Sequence, residues 1–129
     1  MPKGIRTQEI KEFQSIIGVE FENTSLLDKA LTHSSFANQF SLKYDDHNER
    51  LEFLGDSILS MVVSEYLYKR YKNKQEGKLT RIRAAVVCEP SLADISRSLK
   101  VNKYIRIGKG EELSGGREKD SLLADACEA

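Results

Sequence analysis

The stretch His47-Asn48-Glu49-Arg50-Leu51-Glu52-Phe53-Leu54-Gly55-Asp56-Ser57 runs directly into Ile58-Leu59-Ser60-Met61-Val62-Val63, and this junction constrains the fold more than any other part of the chain. An α-helix advances about 100° per residue, so Glu49, Glu52 and Asp56 fall on one narrow stripe. Like charges at this spacing repel by a few tenths of a kcal/mol on a surface, and by more when partly buried. Carboxylates kept together beside an apolar run therefore point to a cation held between them. The simpler reading is a solvated acidic first turn, which the helix dipole favours. Two features weigh against it. Phe53, Leu54, Ile58 and Leu59 leave little room for a wide polar face, and Gly55 costs about 1 kcal/mol relative to alanine in a helix interior. A glycine in that place lets something approach the backbone closely.

The rest of the composition allows one globular domain. The chain has 129 residues, 40% hydrophobic and 31% charged, enough to bury a core and unlike a disordered segment. Ser60, Ser64 and Glu65 interrupt the longest apolar run before it reaches the roughly 18 residues of a membrane span. The start, Met-Pro-Lys-Gly-Ile-Arg, lacks a signal-peptide apolar region, so a cytoplasmic chain with no membrane partner is expected. Cys88 and Cys127 have no metal-ligand spacing and read as reduced core thiols. The formal net charge of +0 conceals an asymmetry: residues 57–109 hold 12 Lys and Arg against 4 Asp and Glu. A basic half beside an acidic pocket suits a polyanion held while metal ions act on it, although solvated helix faces produce similar runs.

Every long segment has helical periodicity, and none alternates as a strand does. Thr7 is expected to cap a first helix that buries Ile10, Phe13 and Ile17 and stops at Gly18. Asn23, Thr24 or Ser25 opens a second, with Leu26, Leu27, Ala30 and Leu31 turned inward. Residues 38–46 read as a loop. The central helix, about Asn48 to Tyr71, is apolar nearly all round and is expected to be surrounded by the others. Further helices are predicted over about Leu79–Cys88 and from Pro90, the latter burying Leu92, Ile95 and Leu99. Val101–Ile107 is ambiguous. Gly108–Asp120, with Gly108, Gly110, Gly115 and Gly116, reads as a flexible loop without a phosphate-loop pattern. Ser121–Ala129 begins a last helix with Asp125 and Glu128 on one face.

Two helical carboxylate pairs, Glu52/Asp56 and Asp125/Glu128, are thus the main chemical content of the chain. Oxygen ligands without nearby His or Cys select hard cations, Mg²⁺ or Mn²⁺. Such ions activate water and stabilise charge on phosphoryl oxygens, which suits phosphodiester or pyrophosphate hydrolysis.

The run Asn48–Ser57 resembles the signature of the ribonuclease III endonuclease domain. The resemblance extends to Ala30-Leu31-Thr32-His33-Ser34-Ser35, to Glu76-Gly77-Lys78-Leu79-Thr80 with Arg81 and Arg83, to Gly108-Lys109-Gly110-Glu111 and to Leu123–Ala129, in the family's order. It implies that residues 1–129 form one all-α catalytic domain, with helices packed around the signature helix. It also implies a homodimer that cleaves double-stranded RNA with Mg²⁺, or Mn²⁺ in its place, leaving 5′-phosphate and 3′-hydroxyl ends with short 3′ overhangs, in rRNA and mRNA processing.

Carried over by motif, Glu52, Asp56, Asp125 and Glu128 are the metal-binding acids, Asp56 and Glu128 being catalytic and Glu128 the ligand nearest the attacking water's metal. Glu49 and Glu76 match accessory acids of the cleft, and Phe53 an aromatic that enters a pocket of the partner subunit. His33 is expected to be a hydrogen-bonded structural residue and His47 to stand at the start of a helix. Lys and Arg of residues 69–83 would meet phosphates, while duplex shape and 2′-hydroxyls give selectivity. Cys127 departs from the family's bulkier residue, the last helix stops one residue after Glu128, and the usual double-stranded-RNA-binding domain does not follow. These departures keep open a catalytically impaired RNA-binding relative or fragment. An all-α Mg²⁺-dependent nucleotide pyrophosphohydrolase is a further alternative, but it would lack the glycine-containing signature.

Overall fold

The central helix begins where the sequence places it, because Asn48 is tied from both its backbone and its side chain. Its amide donates to the Thr32 carbonyl at 2.9 Å, and its Nδ2 donates to the Ala30 carbonyl at 3.3 Å. The computed structural model describes residues 3–42 and 46–129. In it the chain forms α1 (Lys3–Ile17), α2 (Thr24–Ala30), α3 (Ser34–Gln39), α4 (Glu49–Arg70), α5 (Glu76–Val86), α6 (Glu89–Ser98), α7 (Val101–Tyr104), α8 (Lys109–Leu113), a 3₁₀ turn (Gly116–Glu118) and α9 (Asp120–Glu128). The described residues contain no β-strand, only an isolated parallel bridge between Thr32 and Arg106. The all-α expectation holds.

Local chemistry accounts for most boundaries. Gly18 ends the first helical region in a left-handed conformation, φ 71°, and Asn23 caps α2 through its side chain. α1 begins at Lys3, so Thr7 lies inside the helix and is not its cap. α5 opens at Glu76, earlier than predicted, because Gln75 takes the extended conformation of a cap residue. The polar stretch after α2 contains α3, capped by the His33 ring. The expected loop continues through Ser41 and Leu42, and its residues 43–45 lie outside the described ones.

The core gathers Ile10, Phe13, Leu27, Leu31, Ala93, Val101, Tyr104, Ile105, Leu122 and Leu123, with Ile17 and Leu99 packed against it. Leu26 and Ile95, expected inside, are exposed at the edges of their helices. α6 and α9 form the closest helix pair, since the small residues Ala93 and Ser96 let α9 approach and the Ser96 hydroxyl donates to the Leu123 carbonyl at 2.6 Å. Polar groups brace this core. Arg6 is buried, donating to Asp28 (2.7 Å), Glu9 (2.9 Å) and the carbonyls of Tyr104 (2.6 Å) and Leu31 (3.2 Å). Arg106 binds Asp28 from the other side and donates to Thr32 Oγ1.

Three expectations need correction. α4 is not enclosed. Leu59, Val63 and Leu67 turn inward, but Phe53 is 81% exposed, Met61 63%, and Leu54, Ile58, Val62 and Tyr66 also face outward. Hydropathy alone could not separate a helix covered by its own chain from one with a bare apolar side. The segment 108–120 is not a flexible loop: its glycines permit close packing. A Cβ on Gly108 would lie 2.6 Å from the Ser35 carbonyl oxygen, and one on Gly116 would overlap the Glu111 side chain. Arg117 closes the segment by donating to Glu112 and to the carbonyls of Asn102 and Ile105. Finally, the cysteines are not both core thiols, because Cys88 is exposed and Cys127 half-buried.

Gly55 is where α9 meets α4. A Cβ there would fall well inside contact distance of the Glu128 carbonyl oxygen. Gly55→Ala should therefore destabilise the chain by about 2 kcal/mol through overpacking, outweighing a helix-propensity gain of about 1 kcal/mol. Urea unfolding followed by circular dichroism measures the balance. An unchanged or raised midpoint would show that the crossing can relax.

Candidate metal centre and nucleic-acid face

The acids of the signature helix lie along the edge of α4 that α9 crosses, Glu52 half-buried and Glu49 and Asp56 exposed. Close approach at Gly55 sets the C-terminal turn of α9 beside the first turns of α4, so two pairs of carboxylates face each other. Glu52 is hydrogen-bonded to Asp125, and Asp56 to Glu128. Glu52 and Asp125 are both anionic when ionised, so the bond between them needs a shared proton. Glu52 shows the effect most, its pKa pushed up to about 7 by desolvation and then by Asp125, with Glu128 and Glu49 adding to it. Asp125 is raised by burial and by Glu49, against the lowering effects of its bond to Glu52 and of His33. Glu128 is raised by burial and by Asp56 and Asp125.

The four acids predicted as metal ligands are thus brought together, as two facing pairs. Among the described residues no three His, Cys, Asp or Glu side chains are already gathered in metal-ligating geometry. The donor set still fits a hard divalent cation. All the donors are carboxylate oxygens, three of them (Glu52, Asp125 and Glu128) are partly desolvated, and the charges acting most strongly on Glu52 are negative. A cation would take over the role of the shared proton.

Glu49 is exposed one turn before Glu52, and its charge reaches both Glu52 and Asp125. Glu76 is not part of this group. It opens α5 near the opposite end of α4, and it lines a cavity of about 800 Å³ with Tyr68, Tyr71, Lys72, Lys74 and Leu79. Along α4, residue 68 lies roughly 24 Å from Glu52 at 1.5 Å per residue. The same end carries the basic stretch, with Arg70 and Lys74 over the Tyr71 ring at 5.3 and 5.2 Å. Arg83 turns back to donate to Ser64 Oγ at 2.8 Å, so it braces α5 on α4.

Both histidines have the structural roles expected of them. His33 Nδ1 accepts from the Ser35 amide at 3.1 Å and caps α3. His47 Nδ1 accepts from the Glu49 amide at 3.4 Å, at the start of α4. Sequence reasoning missed the buried Arg6 and the Arg6–Asp28–Arg106 bridge, since neither has a local motif. A pair of arginines meeting one aspartate across 22 and 78 residues leaves no mark in any sequence window.

This geometry can be set beside that of known proteins. A family profile described as Ribonuclease-III-like matches residues 23–129. Ribonuclease 3 of Clostridium perfringens is 60% identical over 119 residues, covering 92% of this chain and 49% of that protein. Ribonuclease 3 of Streptococcus pneumoniae is 49% identical over 124 residues, covering 93% of this chain and 53% of its own length. The chain therefore spans about half the length of the curated relatives it matches. The nuclease domain of ribonuclease III from Campylobacter jejuni has the same fold, at 44% identity. One structure of it, which reports structural flexibility in a region involved in dimer formation, gives a TM-score of 0.84 and covers 92% of this chain and 79% of that one. A 2.2 Å crystal structure of the same domain gives 0.82, with coverage of 92% and 77%. The pyrophosphohydrolase alternative finds no support in these likenesses. A glycine-seated helix crossing, two facing carboxylate pairs and these relatives agree: the chain belongs to the ribonuclease III family and has the fold of its nuclease domain.

Proposed function

We propose that the chain is the catalytic part of an endoribonuclease that hydrolyses double-stranded RNA to 5′-phosphate and 3′-hydroxyl ends in the processing of rRNA and mRNA. The observation that carries this reading is the pairing of Glu52 with Asp125 and of Asp56 with Glu128 across the Gly55 crossing. Glu52, Asp56, Asp125 and Glu128 would hold Mg²⁺, or Mn²⁺ in its place. When bound, such an ion supplies an activated water and stabilises charge on the phosphoryl oxygens. The chain's own part is to keep the four carboxylates in register on two helices, with Glu52, Asp125 and Glu128 partly out of water. Lys69, Lys72, Lys74, Lys78 and Arg81 offer phosphate contacts at the other end of α4, which position a duplex without reading its sequence.

The bare side of α4 supports a homodimer. From Phe53 to Tyr66 it spans about 20 Å of apolar surface, with Leu54, Ile58 and Met61 turned away from the acidic stripe. A twofold axis crossing α4 near its middle would run two copies of the helix antiparallel and carry Phe53 to the far end of the partner's α4. The cavity bordered by Tyr68, Tyr71 and Leu79 lies at that end and is large enough for a phenyl ring. The same operation would bring Glu76 towards the partner's acidic centre, which reconciles its accessory role with its distance from Glu52 in one copy. Two centres would then face one duplex, one for each strand. These inferences place the chain in the cytoplasm with RNA, and no helix among the described residues is long and apolar enough to cross a membrane.

Glu128→Gln removes a ligand charge at nearly constant shape. It should leave duplex binding intact and reduce cleavage of a long RNA duplex below detection in Mg²⁺. Cleavage near the parent rate would overturn the assignment of the centre.

The raised carboxylates set a pH dependence. Glu52 ionises near 4.5 when unfolded and at about 7 when folded. Protons are therefore bound more tightly by the folded state, and stability should fall as pH rises from about 4.5 to 7. Without divalent cations the melting temperature should be lower at pH 8 than at pH 5.5. Millimolar Mn²⁺ should raise it at pH 8 and have little effect at pH 5.5, as followed by circular dichroism. An equal effect at both pH values would mean that the ion binds elsewhere.

Phe53→Ala should shift the chain towards monomer in sedimentation velocity while its helical signal persists. A dimer of unchanged strength would remove Phe53 from the interface.

A further inference from the structure

Asn48 stands at the start of α4, where an asparagine side chain ordinarily caps a helix, and it does not cap this one. Capping needs an extended backbone and a side-chain oxygen turned to an amide of the first turn. Asn48 instead has near-helical angles, φ −84° and ψ −3°, and makes no side-chain capping bond. The Glu49 amide is met by His47 Nδ1, at 3.4 Å. Asn48 is turned into the protein and is only 3% exposed, with Nδ2 donating to the Ala30 carbonyl at 3.3 Å.

The polar groups of Asn48 join the body of the domain to a residue of the acidic centre. Its amide donates to the Thr32 carbonyl at 2.9 Å, and its own carbonyl accepts the Glu52 amide at 2.8 Å. The far end of this path is firm. Thr32 is fully buried, its hydroxyl donates to the Asp28 carbonyl at 2.6 Å, and Arg106 donates to the same oxygen at 2.8 Å. Glu52 thus lies between two fixed points of α4, the Asn48 anchor before it and the Gly55 crossing after it. A single contact fixes how closely two helices approach, but not the rotation of either about its own axis. At the outer radius of a helix, about 5–6 Å, a rotation of about 20° would carry the Glu52 carboxylate roughly 2 Å. That is the length of a whole bond to a small divalent cation, which tolerates little departure from its preferred geometry.

We infer that Asn48 is a positioning residue for the acidic centre: its hydrogen bonds to Ala30 and Thr32 fix the rotation of α4, and with it the carboxylate of Glu52 opposite Asp125. This rests on the cation site proposed above. A residue type that favours capping is used for a tertiary bond, so helix formation and acid placement can be separated by substitution. Serine caps about as well as asparagine, carries no charge, and is too short to reach the Ala30 carbonyl.

The test is Mn²⁺ binding to the full chain at pH 7.5, by calorimetry, with helical signal and thermal midpoint measured alongside. Asn48→Ser should keep the helical signal and bind Mn²⁺ about tenfold more weakly, the scale typical of lost outer-sphere partners of a metal site. Ile10→Val, a core change on α1, is the control for lost stability alone: its midpoint should fall and its affinity should match the parent's. Parent affinity in Asn48→Ser, or a loss no greater than that of Ile10→Val, would overturn the positioning role. Should Asn48→Ser lose its cooperative melt, Asn48→Gln decides. It keeps the amide donor on a stem one methylene longer, so the bond to Ala30 can form only with the start of α4 displaced. A severalfold weaker affinity supports the inference, and an unchanged one overturns it. A parent chain that binds no Mn²⁺ would overturn the cation site, and the role of Asn48 with it. That outcome is distinct from parent binding that is insensitive to residue 48.

Discussion

The backbone of α9 reaches α4 only because residue 55 has no side chain, and the placement of the acids follows from that contact. The Glu128 carbonyl occupies the space a Cβ would need. At that separation the carboxylates of two helices, distant in sequence, come within hydrogen-bonding range as Glu52 with Asp125 and Asp56 with Glu128. Desolvation and repulsion are the cost of the arrangement: burial raises Glu52, Asp125 and Glu128, and neighbouring carboxylates raise Glu52 and Glu128 further. α9 is held there against this repulsion from its other side, where Ala93, Ser96 and Leu123 exclude solvent entirely and the Ser96 hydroxyl donates to the Leu123 carbonyl. A site that repels itself must be imposed by packing elsewhere. Here the packing is the α6–α9 contact.

A second frame sets where α4 begins. Thr32 is fully buried. Its carbonyl receives the Asn48 amide, its hydroxyl donates to the Asp28 carbonyl, and its Oγ1 receives the Arg106 guanidinium. Asp28 in turn bridges Arg6 and Arg106, joining α1, α2 and the segment after α7. Removing one partner from such a buried network leaves others unsatisfied, which costs more than the bond itself contributed. The amide of the next residue, His33, donates to the Arg106 carbonyl, so the ring that caps α3 is an extension of this frame.

The two sides of α4 have separate tasks. Inward, Leu59, Val63 and Leu67 follow one another at helical spacing below the acids and seat the helix on its own chain. Outward, Leu54, Ile58 and Met61 continue the apolar character, and none of the described residues covers it. A monomer with that much bare apolar surface would be prone to association, and the dimer proposed above would cover that surface and set two acidic centres along one groove.

Much of this was legible in the sequence because it rests on local chemistry. The bounds of α4 follow from the Asn48 junction and from the apolar period that ends near Tyr71. Gly55 signalled close approach through its cost inside a helix, and the two acid pairs stood out by spacing. Other features depend on residues far apart in the chain. Gly108 and Gly116 have the composition of a flexible loop, yet they pack against Ser35 and Glu111, and a glycine that gives freedom cannot be told locally from one that makes room. The apolar residues of α4 are equally hydrophobic on both sides, so periodicity could not show which side the chain itself would cover. Arg6 has no motif and is buried because two carboxylates and two carbonyls converge on it. Residue identity and spacing determined which helices form and which acids could serve a metal. Only tertiary packing decided which of those acids face each other, because the contact that brings them together joins residues 55 and 128 and depends on the seating of α9 against α6.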